Sequence, residues 1–273
     1  MSSDSEYEGG EAGDLFQDPA DYYQPTPPPT TELYTMKTGA SITLHLVGHS
    51  PLEAHHLWNG SVIVSQHFED HPEEVRGKTV FELGAAAGLP SIVAAVLGAK
   101  KAVVTDYPDP DLVATMWKNI RGCELLVPEN DREEMNIAAD GYIWGADPTP
   151  MLKHLPPTRN GANPDGFDVL ILADLLFRHT EHGNMVKSIE RSLRKHPDSK
   201  AFVVFTSYRP WLQHKDLAFF DVAREKGFIV EKFLERKTEK PLFENDPGDE
   251  EIRKTVTGWI IRWPQEACEK ASS

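Results

Sequence analysis

The sequence predicts an α/β fold in which a mostly parallel sheet carries helices on both faces. Apolar runs of strand length alternate with amphipathic stretches of helix length along most of the 273 residues. Two of these runs, Thr79–Leu83 and Ala102–Thr105, flank a short helix as in a βαβ unit. The chain then ends in two strand-like segments with no clear helix between them.

Composition limits the class of protein. Hydrophobic residues make up 40%, enough for a sizeable core, and 43 acids against 28 bases give a net charge of −15. An acidic chain is a poor nucleic-acid binder and suits a basic protein partner, although charge for solubility explains the excess equally well. We expect a monomer that binds neither nucleic acid nor membrane.

The sequence also indicates a cytoplasmic protein. No apolar run reaches the ~18 residues that span a bilayer, and the N-terminus lacks the basic and apolar regions of a signal peptide. Two cysteines, Cys123 and Cys268, fit reduced thiols and exclude a disulfide framework or a cysteine zinc site.

We predict an acidic, proline-rich arm over residues 1–32 and a single domain over 33–273. Residues 1–30 carry seven acids, the first basic residue is Lys37, and four of residues 25–29 are proline. The arm has too little apolar content to fold alone. It is either a disordered solubilising segment or an acidic contact for a basic substrate.

Two elements are predicted ahead of the βαβ unit, a strand over Ile42–Val47 and an apolar-faced helix over Leu52–Phe68 that is interrupted near Asn59-Gly60. This region holds six of the eleven histidines, but none has the spacing of a helical zinc site. We therefore expect structural or surface histidines and no metal. Trp58 is a candidate lid over a ligand, or else a core residue.

The βαβ unit points to a ligand site. Gly84 and Gly88 bracket a turn of three alanines after the first strand, and Asp106 ends the second strand. Ligands of open α/β sheets bind outside the carboxyl ends of the strands. The residues expected to converge there are Glu82, Gly84, Ala85, Ala86, Gly88 and Asp106.

The spacing of this motif favours one kind of ligand. Gly84 and Asp106 lie 22 residues apart, which suits a glycine turn and a ribose-binding carboxylate for an adenosine-bearing cofactor. The pattern lacks G-x-G-x-x-G, and Glu82 would repel a pyrophosphate but attract the ammonium group of a sulfonium cofactor. A methyltransferase is favoured; an ordinary βαβ unit and a dinucleotide-dependent oxidoreductase are the alternatives.

The alternation continues after Asp106. Asp109 or Asp111 can cap a helix over Leu112–Ile120. Residues 128–140 are predicted to be irregular, and 141–145 to end a short strand. The apolar run Phe167–Ala173, followed by Asp174, predicts the central strand.

The last third of the chain completes the pattern. Thr180 is predicted to cap a helix running towards His196, and Gly227 to stop another. The remaining predicted elements are strand Ala201–Ser207, helix Leu212–Lys226, and strands Phe228–Leu234 and Thr255–Trp263. The last two strands are separated by an acidic loop over 241–251.

Five segments together carry a family resemblance. They are Leu57-Trp58, Phe81–Gly84 with Gly88–Pro90, Thr105–Pro108, Ile143–Gly145 and Ala173–Phe177. They resemble the nicotinamide-N-methyltransferase-like and lysine methyltransferase group of class I S-adenosylmethionine methyltransferases, over roughly Lys37–Pro264. The resemblance implies a Rossmann-like sheet of seven strands, the last antiparallel, and an S-adenosyl-L-methionine-dependent N-methyltransferase.

The resemblance also implies cofactor-binding residues. Trp58 and Ala173 would contact the cofactor, and Asp106 would hold the ribose. Gly84, Ala85 and Ala86 would line the methionine end, and Trp144 would flank the adenine. Ala86 stands where the group often has glycine, so its backbone is expected in a conformation that alanine permits.

The acceptor side rests on the resemblance as well. Segments 105–110 and 176–182 resemble enzymes that methylate elongation factor 1-alpha, which implies that partner and its N-terminal amine or an adjacent lysine as the acceptor. We expect Asp174, Phe177 and Tyr208 to line the amine entrance, with Asp174 either orienting the amine, accepting its proton through water, or only capping the next turn.

One departure and two alternatives bear on this acceptor side. Phe177 replaces a tyrosine common in the group, so a hydroxyl that could bind the amine is missing. A small-molecule, nicotinamide-like amine N-methyltransferase and a non-catalytic binding protein with the same fold are the alternatives.

Overall fold

The computed structural model describes residues 27–126, 135–157, 161 and 164–272. Residues 1–26 of the predicted arm lie outside the described residues. The strands are β1 Thr30–Thr35, β2 Ser41–Leu46, β3 Thr79–Leu83, β4 Lys101–Asp106, β5 Ile137–Gly141, β6 Val169–Ala173, β7 Lys200–Thr206, β8 Ile229–Lys237 and β9 Thr255–Arg262. The α-helices are α1 Asn59–Asp70, α2 Leu89–Val96, α3 Pro110–Gly122, α4 Thr149–Leu152, α5 His182–Ser192, α6 Gln213–Glu225, α7 Glu250–Arg253 and α8 Gln265–Ser272.

Seven strands form one sheet in the order β5-β4-β3-β6-β7-β9-β8. The pairs β3–β4, β3–β6, β4–β5 and β6–β7 are parallel, and β9 runs antiparallel to both β7 and β8. This confirms the predicted mostly parallel, Rossmann-like sheet and its reversed last strand. The predicted central strand, β6, lies between β3 and β7.

Helices cover both faces of this sheet and divide the core into two apolar clusters. One cluster packs α1, α2 and α3 against the sheet, and the other packs α5 and α6 against the opposite face. Strand β3 is buried along its whole length, so its apolar residues Val80, Phe81 and Leu83 do not alternate with exposed ones, and its two polar residues, Thr79 and Glu82, are buried as well. None of the helices in the described ranges is both long and apolar enough to cross a membrane.

A two-stranded hairpin, β1–β2, lies outside the main sheet. The predicted arm boundary at residue 32 is wrong in detail, because it falls within β1. Asn119, fully buried on α3, fastens the hairpin: its amide bonds both backbone groups of His45 and also donates to the Ala87 carbonyl. One side chain thereby joins the hairpin to the turn between β3 and α2.

Three predicted elements differ in the structure. The helix predicted over Leu52–Phe68 begins only at Asn59, because Glu53 has a φ of 62°, which no right-handed helix accommodates. Strand β5 lies within residues predicted to be irregular; it pairs only with β4 and its apolar stretch is too short to stand out. Thr180 caps nothing, since α5 begins after Glu181 without a side-chain cap.

Candidate active site

A cavity of about 350 Å³ opens at the carboxyl ends of β3, β4 and β6. It is within the size range of small-molecule sites. Its lining includes the predicted residues Trp58, Gly84, Ala86, Asp106, Trp144, Ala173, Asp174 and Phe177. A narrower adjoining pocket adds Glu82 and Ala85. The structure therefore brings together every predicted site residue except Tyr208 and Gly88, neither of which lines these two pockets.

The turn after β3 needs glycine at its first position. Gly84 has a φ of 60°, and a Cβ there would lie 2.6 Å from Leu175 Cδ2 and 3.1 Å from Trp144 Cζ2. Both neighbours line the cavity, so a side chain at this position would displace its walls. Leu175 had not been predicted as a site residue; only its place after β6 could have indicated it.

Backbone strain is concentrated around the cavity. In the described part of the chain, the non-glycine residues with positive φ are Glu53, Ala86 and Asp174, and all three line the cavity. Such conformations cost about 1–2 kcal/mol per residue and cluster at functional sites. Ala86 has a φ of 48°, in the left-handed region, so its backbone conformation is one that alanine permits but adopts only at a cost.

The reason for the strain at Ala86 is its hydrogen bond. Its N–H donates to Asp106 Oδ2 at 2.7 Å, and the N–H of Tyr107 donates to Oδ1 at 2.7 Å. Burial raises the pKa of Asp106, while these two bonds oppose the rise. A carboxylate has about four lone-pair sites, so acceptor capacity remains for a ribose diol in the cavity.

Glu82 is the second acid of the cofactor side. Its side chain is buried beneath the turn and accepts the Ser91 N–H at the start of α2, at 3.0 Å. Burial raises its pKa to about 8. A cation in the adjoining pocket would favour the ionised form, which suits the ammonium group of S-adenosylmethionine.

Trp58 lies at the centre of an aromatic cluster beside the cavity. Its ring stacks on Phe177 at 6.1 Å and 19°, and meets Tyr208 at 5.0 Å and Phe243 at 5.7 Å edge to face. Its Nε1–H donates to the Glu53 carbonyl. Phe243 was missed by the sequence reasoning, because nothing in the acidic loop signals that its ring reaches residue 58.

Asp174 has its two oxygens already engaged. Oδ2 accepts the Gly60 N–H at 2.5 Å and Oδ1 accepts the Thr206 N–H at 2.8 Å, so the carboxylate joins α1 to the end of β7. Burial raises its pKa to about 7. It therefore does not cap the turn that follows β6, and its role towards an amine stays a prediction.

Tyr208 lies behind Trp58 rather than in the cavity lining. Its hydroxyl accepts the Asn59 N–H at 3.3 Å. Burial raises its pKa well above the ordinary value. The phenol stays protonated at neutral pH and is unsuited to act as a base.

The histidine-rich segment contains one group with metal-binding geometry. Among the described residues, Glu53, His55 and His56 have ligand atoms within 4.8 Å of one another. All three are partly buried, and the segment lies beside the cavity. Carboxylate and imidazole are zinc ligands, but exposed groups of this kind are also common on protein surfaces.

Comparison with known proteins identifies the family. Residues 48–226 match the lysine methyltransferase family model. Protein N-terminal and lysine N-methyltransferase efm7 of Neurospora crassa is 71% identical over 96% of this chain and 92% of its own length. The enzyme of the same name from Gibberella zeae is 57% identical over 94% and 96%, and that of Schizosaccharomyces pombe is 40% identical over 96% and 98%.

Solved structures agree on the fold. A chain from Streptococcus mutans, assigned as a SAM-dependent methyltransferase, superposes with a TM-score of 0.54 at 13% identity. The match covers 88% of this chain and 57% of that one, so this chain spans little more than half of its structural neighbour. The residues present fit S-adenosylmethionine, because Asp106 in the cavity has acceptor capacity for a ribose and the buried acid Glu82 lines the adjoining pocket, where it would attract an ammonium group. The chain belongs to the lysine methyltransferase family and is an S-adenosyl-L-methionine-dependent N-methyltransferase.

Proposed function

We propose that this enzyme methylates elongation factor 1-alpha at its N-terminal amine, at an adjacent lysine, or at both. Relatives that share 71% and 57% of its residues are named protein N-terminal and lysine N-methyltransferases, which supports a protein acceptor. The net charge of −15 is compatible with a basic partner. The elongation factor itself rests on the resemblance of segments 105–110 and 176–182.

The aromatic cluster at the edge of the cofactor cavity carries the proposal. Trp58 and Phe177 line the cavity, and Phe243 packs against Trp58. Faces of aromatic rings attract ammonium groups, by about 0.5–2 kcal/mol per contact. An aromatic entrance of this kind suits an amine that arrives as an ammonium ion and is again positively charged after it has been methylated.

Methyl transfer depends more on the orientation of the amine than on a strong acid or base in the site. A neutral amine attacks the methyl carbon in line, the S–CH₃ bond breaks as the N–CH₃ bond forms, and the amine proton leaves to water. An α-amine, with a pKa of about 8, is more readily neutral than a lysine, with a pKa of about 10.4. A lysine acceptor must therefore lose its proton as it enters a partly dry site.

The residues at the amine entrance have different proposed roles. Because Tyr208 stays protonated and both oxygens of Asp174 already accept backbone N–H groups, we assign the orientation of the amine to the rings of Trp58 and Phe177. Asp174 holds the loop that carries Phe177. We propose a cytoplasmic reaction, since both cysteines are free thiols.

Radiolabelled S-adenosylmethionine tests the proposal. The purified enzyme is added to an extract of fungal cells that lack it, and the proteins are separated on a gel. One labelled band at the size of elongation factor 1-alpha is expected, and peptide mapping then chooses between the N-terminus and a lysine. Label in small acceptors alone would favour a small-molecule amine methyltransferase and refute the proposal.

A truncated enzyme tests the acidic arm separately. Deleting residues 1–26 removes none of the residues that the structure describes. If the arm contacts the substrate, protein methylation falls while the dissociation constant for S-adenosylmethionine is unchanged. Equal methylation by both enzymes would assign the arm to solubility alone.

A further inference from the structure

Asp216 is a buried carboxylate that the cofactor site does not use. It lies in the first turn of α6 and is 4% exposed. Its Oδ1 lies 2.7 Å from His179 Nε2, and its Oδ2 accepts the Ser207 hydroxyl at 2.7 Å. Two short hydrogen bonds to one buried carboxylate hold the side chains of His179 and Ser207 in place.

The two partners belong to two different loops at the same edge of the sheet. His179 follows β6 and lies two residues after Phe177, whereas Ser207 follows β7 and directly precedes Tyr208. Asp216 therefore joins the loop that carries one aromatic ring to the loop that carries the other. The Arg209 guanidinium adds a second link, a bond of 3.0 Å to the Phe177 carbonyl.

Both joined rings pack on Trp58. Phe177 stacks on Trp58 at 6.1 Å, and Tyr208 meets it edge to face at 5.0 Å. A change in the distance between the two loops would change the space that the three rings leave beside the cofactor cavity. Asp216 itself does not line the cavity.

A neighbouring histidine supports the same loop from within. His182 Nε2 lies 2.8 Å from the Leu176 carbonyl, and its ring meets His179 edge to face at 5.6 Å. Burial lowers the pKa of His182, so it is neutral near pH 7 and donates this bond. The two histidines of segment 176–182 thus both hold the loop rather than face the cofactor.

We propose that Asp216 is a positioning residue for the acceptor amine: by tying His179 to Ser207 it sets the spacing of Phe177 and Tyr208 around Trp58. This proposal rests on the proposed function, since it assumes that the rings of Trp58 and Phe177, which line the cavity, orient the amine. The carboxylate touches neither cofactor nor amine. Asp216 would act on the position of the acceptor amine relative to the methyl group. Misplacing the amine by about 1 Å can lower the rate of transfer about a hundredfold.

Asp216→Asn is the informative substitution. The amide keeps the shape but has one oxygen, so only one of the two partners retains an acceptor. We expect the rate of methyl transfer at saturating cofactor to fall about tenfold to a hundredfold, with the dissociation constant for S-adenosylmethionine within about twofold of the wild type. The matched control is Asp221→Asn on the same helix, whose side chain is 73% exposed and bonds Arg224.

Two further variants separate positioning from simple destabilisation. His179→Gln keeps a hydrogen-bond donor towards Asp216 and is expected to retain most of the methyl-transfer activity. His179→Ala has no donor there and is expected to lose that activity. The double variant His179→Ala with Asp216→Ala should be no slower than Asp216→Ala alone, because Asp216→Ala already removes the contact between the two side chains. Hydrogen exchange over residues 174–182 and 206–212 should rise in the Asp216→Asn variant without cofactor or substrate present.

The outcomes are distinguishable from those of the proposed function. If the wild type labels no protein, the proposed function fails, and hydrogen exchange still decides whether Asp216 joins the loops. Wild-type transfer by Asp216→Asn, with unchanged exchange in both loops, would overturn the positioning role. An equal loss of cofactor affinity and transfer would also overturn it, because the residue would then support the whole fold.

Discussion

Asp106 and Asp174 occupy equivalent places but bind different parts of the chain. Each follows or ends a buried parallel strand, lines the cavity and accepts two backbone N–H groups. The partners of Asp106 lie 20 residues and one residue away along the chain, whereas those of Asp174 lie 114 and 32 residues away. The part of the site around Asp106, the proposed cofactor half, is thus locally encoded, and the part around Asp174, the proposed acceptor half, is assembled by the tertiary fold.

The two halves should therefore respond differently to substitution. A change in the cofactor half should reduce binding of S-adenosylmethionine with little effect on folding. A change in the acceptor half should remove hydrogen bonds that hold α1 against β6 and β7. Its main effect should therefore be a lower free energy of unfolding.

The largest expected effect is that of Asp174→Ala. It leaves the buried N–H groups of Gly60 and Thr206 without their acceptor, at about 1–3 kcal/mol each, so the free energy of unfolding should fall by about 2–6 kcal/mol. Denaturant unfolding measures it. Asp174→Asn is the control, because asparagine tolerates positive φ and keeps one acceptor; it should cost about half as much. An unchanged midpoint for the alanine variant would contradict the anchoring role.

Gly60→Ala should destabilise somewhat less. A Cβ at this position would lie 2.6 Å from both Asp174 Oδ2 and the Val204 carbonyl oxygen, and overpacking of this kind costs about 1–3 kcal/mol. Gly183→Ala is the matched control, because it is helical, exposed and has no atom within 4 Å of its Cβ. That control should gain up to about 1 kcal/mol in the same unfolding assay. Equal effects at the two glycines would refute the close packing of α1.

Asp106→Ala should act on the cofactor. Losing hydrogen bonds between a carboxylate and the ribose removes about 1.5–3 kcal/mol, or about tenfold to a hundredfold in affinity. The N–H groups of Ala86 and Tyr107 border the cavity, where water can replace the lost acceptor, so unfolding should change less than for Asp174→Ala. Titration calorimetry with S-adenosylmethionine measures the affinity. Unchanged binding would remove Asp106 from the ribose site.

The smallest effect concerns the pH dependence of cofactor binding. The pKa of Glu82 is about 8 in this structure, and a bound cation lowers it, so binding expels a proton from Glu82 at neutral pH. Affinity should accordingly rise with pH between the lowered value and about 8, by at most about tenfold per pH unit, and level off above that. Calorimetry in buffers of different ionisation enthalpy counts the released proton.

Glu82→Gln provides the reference for this measurement. The ammonium group of the cofactor titrates in a similar range, near pH 8 for an α-amine, and only a comparison isolates the part due to Glu82. Glutamine keeps an acceptor for the Ser91 N–H. Identical proton release by both proteins would show that Glu82 is not the group that senses the cation.

Sequence reasoning succeeded where contacts are close along the chain. The turn from Gly84 to Gly88 and the acid at Asp106 could be predicted, because a strand, a glycine turn and a helix that begins 10 residues after the strand starts leave few arrangements. Asp109, one of the two predicted caps, accepts two N–H groups at the start of α3, whereas Asp111 is a residue of the first turn. The positive φ of Ala86 was not foreseeable, since it follows from a bond to Asp106 on another strand.

Sequence reasoning failed where the two residues of a contact lie far apart along the chain. The apolar character of Phe243 indicates burial but not its contact with Trp58, which depends on how the chain returns from β8. The hairpin and its anchor Asn119 were missed for the same reason, as was the pairing of Asp216 with His179 and Ser207.

The sequence by itself determined the α/β class, the strand–turn–helix–strand unit and the acids that suit a sulfonium cofactor. Hydrophobic period and turn chemistry act over a few residues, so they can be read from neighbours along the chain. The tertiary structure alone decided that Asp174 binds α1, that three aromatic rings meet at Trp58, and that Asp216 joins two loops. These contacts depend on strand order and on the right-handed crossovers between strands, and a buried polar group shows only that it needs a partner, not which one.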